Sequence, residues 1–168
     1  MRERLSPKAA VAWGLFCALI GAIPILGSLG ILELDNAPDV PDWVIGCAGL
    51  LFVMAGAGIV NGYAIAGGVG PDGDLRRGTP LAVRLIQYAL GLGVIGLFAA
   101  IFGWIAFAPG ERRFSSTLSL PFLTRSSSGG DMVGRVLFGI VAVGSVVPFV
   151  ALAIRALRSI RDDRSPRS

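Results

Sequence analysis

Uncharged, mostly apolar residues fill four stretches of the chain, Ala9 to Leu32, Trp43 to Gly70, Leu85 to Gly110 and Val136 to Ile154, and the charges lie between and beyond them. A helix needs roughly 20 apolar residues to cross a hydrocarbon core of about 30 Å. Helices of a soluble protein would instead show a polar face at the helical period, and these stretches are apolar all the way round. The pattern therefore predicts an all-α integral membrane protein: four transmembrane helices in an up-down bundle, forming a single domain with no remaining segment large enough for a soluble one.

Polar residues at the edges of the stretches predict where the helices begin. Ser6-Pro7 and Thr79-Pro80 each pair a capping hydroxyl with a proline, which at a first helical position loses nothing by lacking an N–H. Asp42 before Trp43, and Asp131 before Met132, are expected to cap the second and fourth helices. The helices are predicted near 7–32, 43–68, 80–108 and 132–160, with a loop at 109–131 and a basic tail at 155–168. Pro24 and Pro148 fall inside spans and are expected to adjust the helix axis.

The chain is 168 residues long with 15 Lys and Arg against 11 Asp and Glu, a net charge of +4. Alternating sides put Arg2, Arg4, Lys8, Arg76, Arg77, Arg84, Arg155, Arg158, Arg161, Arg164 and Arg167 on one face, and Arg112, Arg113, Arg125 and Arg135 on the other. Basic residues are retained on the cytoplasmic side. Both termini are thus expected in the cytoplasm, the 109–131 loop outside, and the first span uncleaved, being longer than a signal-peptide core. The first loop, with Glu33, Asp35, Asp39 and Asp42 and no base, fits an outer position. Size and the lack of eukaryotic targeting signals lead to the expectation of a bacterial inner membrane.

Close packing of membrane helices relies on small residues. With 24 glycines to choose from, the four-residue spacing Gly58, Gly62, Ala66 in the second helix, and Ala89, Gly93 with Gly96, Ala100 in the third, predicts the tight contacts. Cys17 and Cys47 are expected at different depths, so a disulfide between them is not expected.

Inside the spans the polar side chains are few. Asn61 and Gln87 stand equally far from a turn near Gly73-Asp74, so they should lie at the same depth and hydrogen-bond between the second and third helices. Arg84, one turn before Tyr88, is expected near the cytoplasmic surface. Asn61, Gln87, Arg84 and Tyr88 are the candidate polar interhelical or ligand contacts. In the 109–131 loop, Phe114, Leu118, Leu120 and Phe122 are the candidate partner-binding residues. Arg155, Arg158 and Arg161 are expected to meet lipid headgroups.

Several chemistries lack their residues. There is no histidine, which excludes bis-histidine haem, histidine-ligated zinc and histidine-based catalysis. No Asp, Glu or Lys lies within a predicted span, whereas proton-coupled transport and intramembrane aspartyl proteolysis draw on such groups. The expectation is a protein with no catalytic site, no cofactor and no metal, an accessory or scaffolding subunit of a membrane complex. Its partners would be membrane lipids and another membrane protein or further copies of itself, not nucleic acid. The alternative is a small-molecule or ion transporter or channel unit with a polar path near Asn61 and Gln87.

Overall fold

A computed structural model of the chain describes residues 6–33, 40–68, 75, 78–107 and 130–164; at 130, 131, 133 and 162–164 the backbone alone is described. The described residues are almost wholly helical. Helix α1 runs Pro7–Ser28 and α2 runs Asp42–Ile59, passing directly into a π-helical turn at Val60–Ile65; α3 runs Leu81–Phe107, α4 Gly130–Gly144 and α5 Val146–Arg164. Helices α4 and α5 together form the fourth long apolar segment, giving four segments long and apolar enough to cross a membrane. At about 1.5 Å per residue, the 22 residues of α1 already extend about 33 Å.

Ser6 caps α1 as its position suggests, its side chain accepting from the Ala9 N–H at 3.2 Å. The helix ends at Ser28 rather than near residue 32. Gly30, with φ +70°, takes the left-handed conformation that closes a helix. Ile31 N–H then bonds to Leu26 O at 3.0 Å, and Gly30 N–H to Gly27 O at 3.0 Å, so the last carbonyls are satisfied and the chain turns away.

The expected aspartate caps are not formed as such. Asp42 is the first residue of α2 and Pro41 occupies the cap position with no side-chain hydrogen bond. The acid still sits in the first turn, where its charge suits the positive helix end. Asp131 likewise lies inside α4, which starts one residue earlier at Gly130. Helix α3 begins at Leu81, with Arg84 N–H bonded to Pro80 O at 3.2 Å.

Helix α1 continues through Pro24, whereas the fourth span is interrupted at Ser145. Pro148 has no N–H to offer the Gly144 carbonyl, and Ser145 Oγ donates to Val141 O at 2.8 Å, a back-bond that commonly bends a helix.

Packing follows chain order. Antiparallel contacts join α1 to α2, α2 to α3, and α3 to both α4 and α5, while the π-helical turn touches α1 and α3. Among the described residues, α1 makes no close backbone approach to α3, α4 or α5, nor α2 to α4 or α5. Neighbouring helices alternate in direction, and among the described residues their close backbone approaches run in an open row, from α1 to α2 to α3 to the fourth span. Few side chains are consequently enclosed: Ala10, Val44, Ala106 and Ala142 are the buried apolar ones among the described residues.

The closest seam lies between α1 and α2, at glycines seven residues apart. A Cβ on Gly14 would fall 2.9 Å from Gly56 O, one on Gly56 2.6 Å from Gly14 O, and Gly21 and Gly49 stand in the same reciprocal relation. Pro24 also rests on Gly49, its Cγ 2.9 Å from where a Cβ would be. This differs from the expected four-residue spacing. A Cβ on Gly58 would meet nothing closer than Gln87 Nε2 at 3.7 Å, and Gly93 receives the side chain of Met54 rather than a neighbouring backbone.

The α3 interfaces use larger groups. Phe102 stacks on Phe138 of α4 with ring centroids 5.5 Å apart, and Trp104 meets Trp43 of α2 edge-on at 5.9 Å. Both pairs lie toward the end of the molecule opposite the π-helical turn.

Candidate functional site

The most enclosed polar side chain is Asn61, only 4% exposed, in the π-helical turn. A π turn carries an additional residue per hydrogen-bonded ring and occurs disproportionately at functional positions. Here Ala66 N–H bonds back to Asn61 O at 2.9 Å, spanning five residues, and Gly67, with φ +74°, ends the element. Val60, at the start of the turn, packs against Gly14 of α1. The turn is therefore held between two helices while Asn61 reaches toward α3.

Both hydrogens of the Asn61 amide are used there. Nδ2 donates to Gln87 Oε1 at 2.9 Å and to Val83 O at 3.1 Å, which ties the end of the second span to the first two turns of α3. Hydrocarbon offers no partner for such groups, so each must find one within the protein. A bond of this type between membrane helices contributes about 0.6 kcal/mol. Gly58, one turn before Gly62, leaves room for the Gln87 side chain.

Arg84 and Tyr88 stand beside this pair on α3, both half-buried. Arg84 is one turn from Gln87 and Tyr88, so the four residues form one polar layer near one end of the molecule. Arg155, Arg158 and Arg161 on α5 belong to the same end and are exposed. Phe114, Leu118, Leu120 and Phe122 lie outside the described residues, as do Asp35, Asp39 and the turn at Gly73-Asp74.

Cys17 and Cys47 are free and half-buried. Among the described residues no three His, Cys, Asp or Glu side chains gather to form a metal-binding group. Ser159 is a polar residue that sequence reasoning passed over. It is 7% exposed, and its Oγ is buried without a hydrogen-bond partner. A serine between two exposed arginines in the tail gives no sequence signal of burial; only its position two turns beyond Leu152 on one helical stripe could have indicated it.

Fold and polar layer define the class: an all-α protein whose four apolar helices are suited to cross a membrane. The chain matches no protein-family model, no curated protein and no solved structure.

Proposed function

We propose that this chain is a non-enzymatic integral membrane protein of the bacterial inner membrane, an accessory or scaffolding subunit of a larger complex, with both termini in the cytoplasm. The open helix row carries this reading. Helices that touch only their chain neighbours leave the outer faces of α1 and of the fourth span for another membrane protein or a second copy. Trp13, Leu15, Phe16 and Leu19 on α1, between 53% and 69% exposed, provide one such apolar face.

The polar layer supports a subunit more than a transport unit. Asn61 spends both amide hydrogens on α3, which favours helix joining over the alternative of a polar path through Asn61 and Gln87. The cytoplasmic placement of the termini is supported by the split of bases, 11 against 4, among the segments named above.

Light cross-linking in the native membrane, followed by solubilisation and measurement of the mass and composition of the complex, tests the proposal. A stoichiometric second protein is the expected result. A bare monomer would overturn the subunit reading and favour transport, to be followed by flux measurements on Asn61 and Gln87 variants.

A further inference from the structure

The fourth span is fastened to α3 in two places that differ in kind. In α4, Phe138 stacks on Phe102 with ring centroids 5.5 Å apart, a Cβ on Gly139 would lie 3.6 Å from Ala106 Cβ, and Ala142 is buried. In α5, a Cβ on Gly91 would lie 2.8 Å from Leu152 Cδ2, so Leu152 faces α3 at that level. Ser159 follows about two turns further along the same stripe. It is 7% exposed and its Oγ is buried without a hydrogen-bond partner, an arrangement a folded protein rarely tolerates. Ser28 and Ser145 show the usual resolution, each donating at 2.8 Å to a backbone carbonyl about one turn earlier. Ser159 makes no such bond.

Between these two places the span is weakened. Helix α4 stops at Gly144 and α5 begins at Val146. Val141 O accepts both from Ser145 N–H at 3.0 Å and from Ser145 Oγ at 2.8 Å. Pro148 withholds the N–H that the Gly144 carbonyl would otherwise receive. Gly144 adds backbone freedom, with open space where its Cβ would be. Every residue from Val146 to Ala151 is exposed, so no side chain there is enclosed between helices to hold α5 in place. A serine back-bond and a proline within one turn of each other are both causes of helix bending.

We propose that the fourth span is hinged at Ser145 to Pro148: α4 stays fixed on α3 while α5 swings away from it, opening the seam at Ser159 to water. The enclosed hydroxyl disfavours the closed arrangement, and in the open one water satisfies it. Ser159 lies about 14 residues from Ser145, an arm of about 21 Å, so a bend of about 20° moves it by about 7 Å. The swing uncovers the part of the α3 stripe beyond Gly91 that carries Tyr88 and Arg84. The bond from Asn61 to Gln87 joins α3 to the second span and is left in place. The motion belongs to this chain alone and does not rest on the subunit reading.

The full-length chain carrying Cys17→Ala and Cys47→Ala would be spin-labelled at pairs of introduced cysteines in phosphatidylcholine vesicles, and the distances read by pulsed electron paramagnetic resonance. Ile86→Cys with Leu157→Cys pairs α3 with α5, and Ala100→Cys with Ile140→Cys pairs α3 with α4, all at exposed positions. The α3–α5 pair is expected to show two distances that differ by about 5 Å or more, and the α3–α4 pair a single one. Pro148→Ala restores the missing N–H and should lower the ratio of open to closed populations about fivefold. Ser159→Ala removes the unpaired hydroxyl and should lower the ratio by a similar factor of about five. Pro24→Ala in α1 should leave both pairs unchanged. A single α3–α5 distance would overturn the hinge, and so would equal spread at both pairs, which would assign the motion to the whole helix row. An open population indifferent to Pro148→Ala would overturn the position of the hinge, and one indifferent to Ser159→Ala the role given to its hydroxyl.

Discussion

The α1–α2 hairpin and the pairing of α3 with the fourth span solve the same problem in opposite ways. Between α1 and α2, paired glycines remove the side chains and the backbones meet, with Gly14 against Gly56 and Gly21 against Gly49. Between α3 and α4, aromatic rings fill the gap, and a Cβ on Gly103 would touch nothing within 4 Å. Lipid is as apolar as leucine, so membrane helices gain little from hiding apolar surface and must associate through packing contacts and hydrogen bonds. The first interface is consequently intolerant of added atoms, while the second depends on side-chain contacts, with rings at Phe102 and Phe138, Leu152 seated on Gly91, and an open position at Gly103.

The strongest way to break this contrast is to add bulk at the glycine seam. Gly21→Leu should destabilise the protein by about 3 kcal/mol or more, because the obstruction is the carbonyl of Gly49 and backbone cannot move aside as a side chain can. Thermal unfolding in mild detergent measures it, and tolerance of the leucine would mean the hairpin is not closed at that point. Phe102→Ala, which removes the stack on Phe138, should cost about 1 kcal/mol in the same assay. A loss as large as that at Gly21 would erase the distinction between the two interfaces.

Effects of similar or smaller size sharpen the picture. Gln87→Leu should cost about 0.6 kcal/mol and Asn61→Leu about twice that, since it also loses the bond to Val83 O, while the double variant should cost little more than Asn61→Leu alone, because both substitutions remove the same amide–amide bond. Additive losses in a double-mutant cycle would show that the amides act through different partners. Gly103→Ala should stabilise α3 by about 0.5 kcal/mol, since the position is open and glycine weakens a helix interior. Destabilisation there would indicate that a neighbour covers this face of α3.

How far these features were legible depends on whether they arise from one segment or from two. Span number follows from local hydropathy, and the Ser6 cap from a single residue and the proline after it. The Asn61–Gln87 bond is also accessible, because equal distance from a hairpin turn sets equal depth. The glycine seam is not, because it uses a seven-residue spacing on two helices, and in a glycine-rich chain the four-residue spacing at Gly58, Gly62 and Ala66 is at least as conspicuous. Gly30 escapes notice as a helix stop because apolar Ile31 and Leu32 follow it, and only the backbone conformation distinguishes it from glycines within the helix. The interruption at Ser145 combines a proline effect with a serine back-bond, of which the sequence displays the first. Buried Ser159 depends on the register of α3 against α5, which no single segment contains.

The openness of the helix row carries the functional reading, and cysteine cross-linking tests it most directly. In a protein lacking its native cysteines, Ser28→Cys with Gly46→Cys should form a disulfide readily, since Ser28 Cβ lies 3.3 Å from where a Gly46 Cβ would be. Leu19→Cys with Val147→Cys, and Trp13→Cys with Ala153→Cys, pair α1 with α5 at matched depth through the register of α1 on α2, α2 on α3 and α3 on α5. The open row predicts that neither α1–α5 pair forms an intramolecular disulfide in membranes while the α1–α2 pair does. Efficient α1–α5 bridging within a single chain would mean that the helices close into a bundle, leaving no vacant face for a partner.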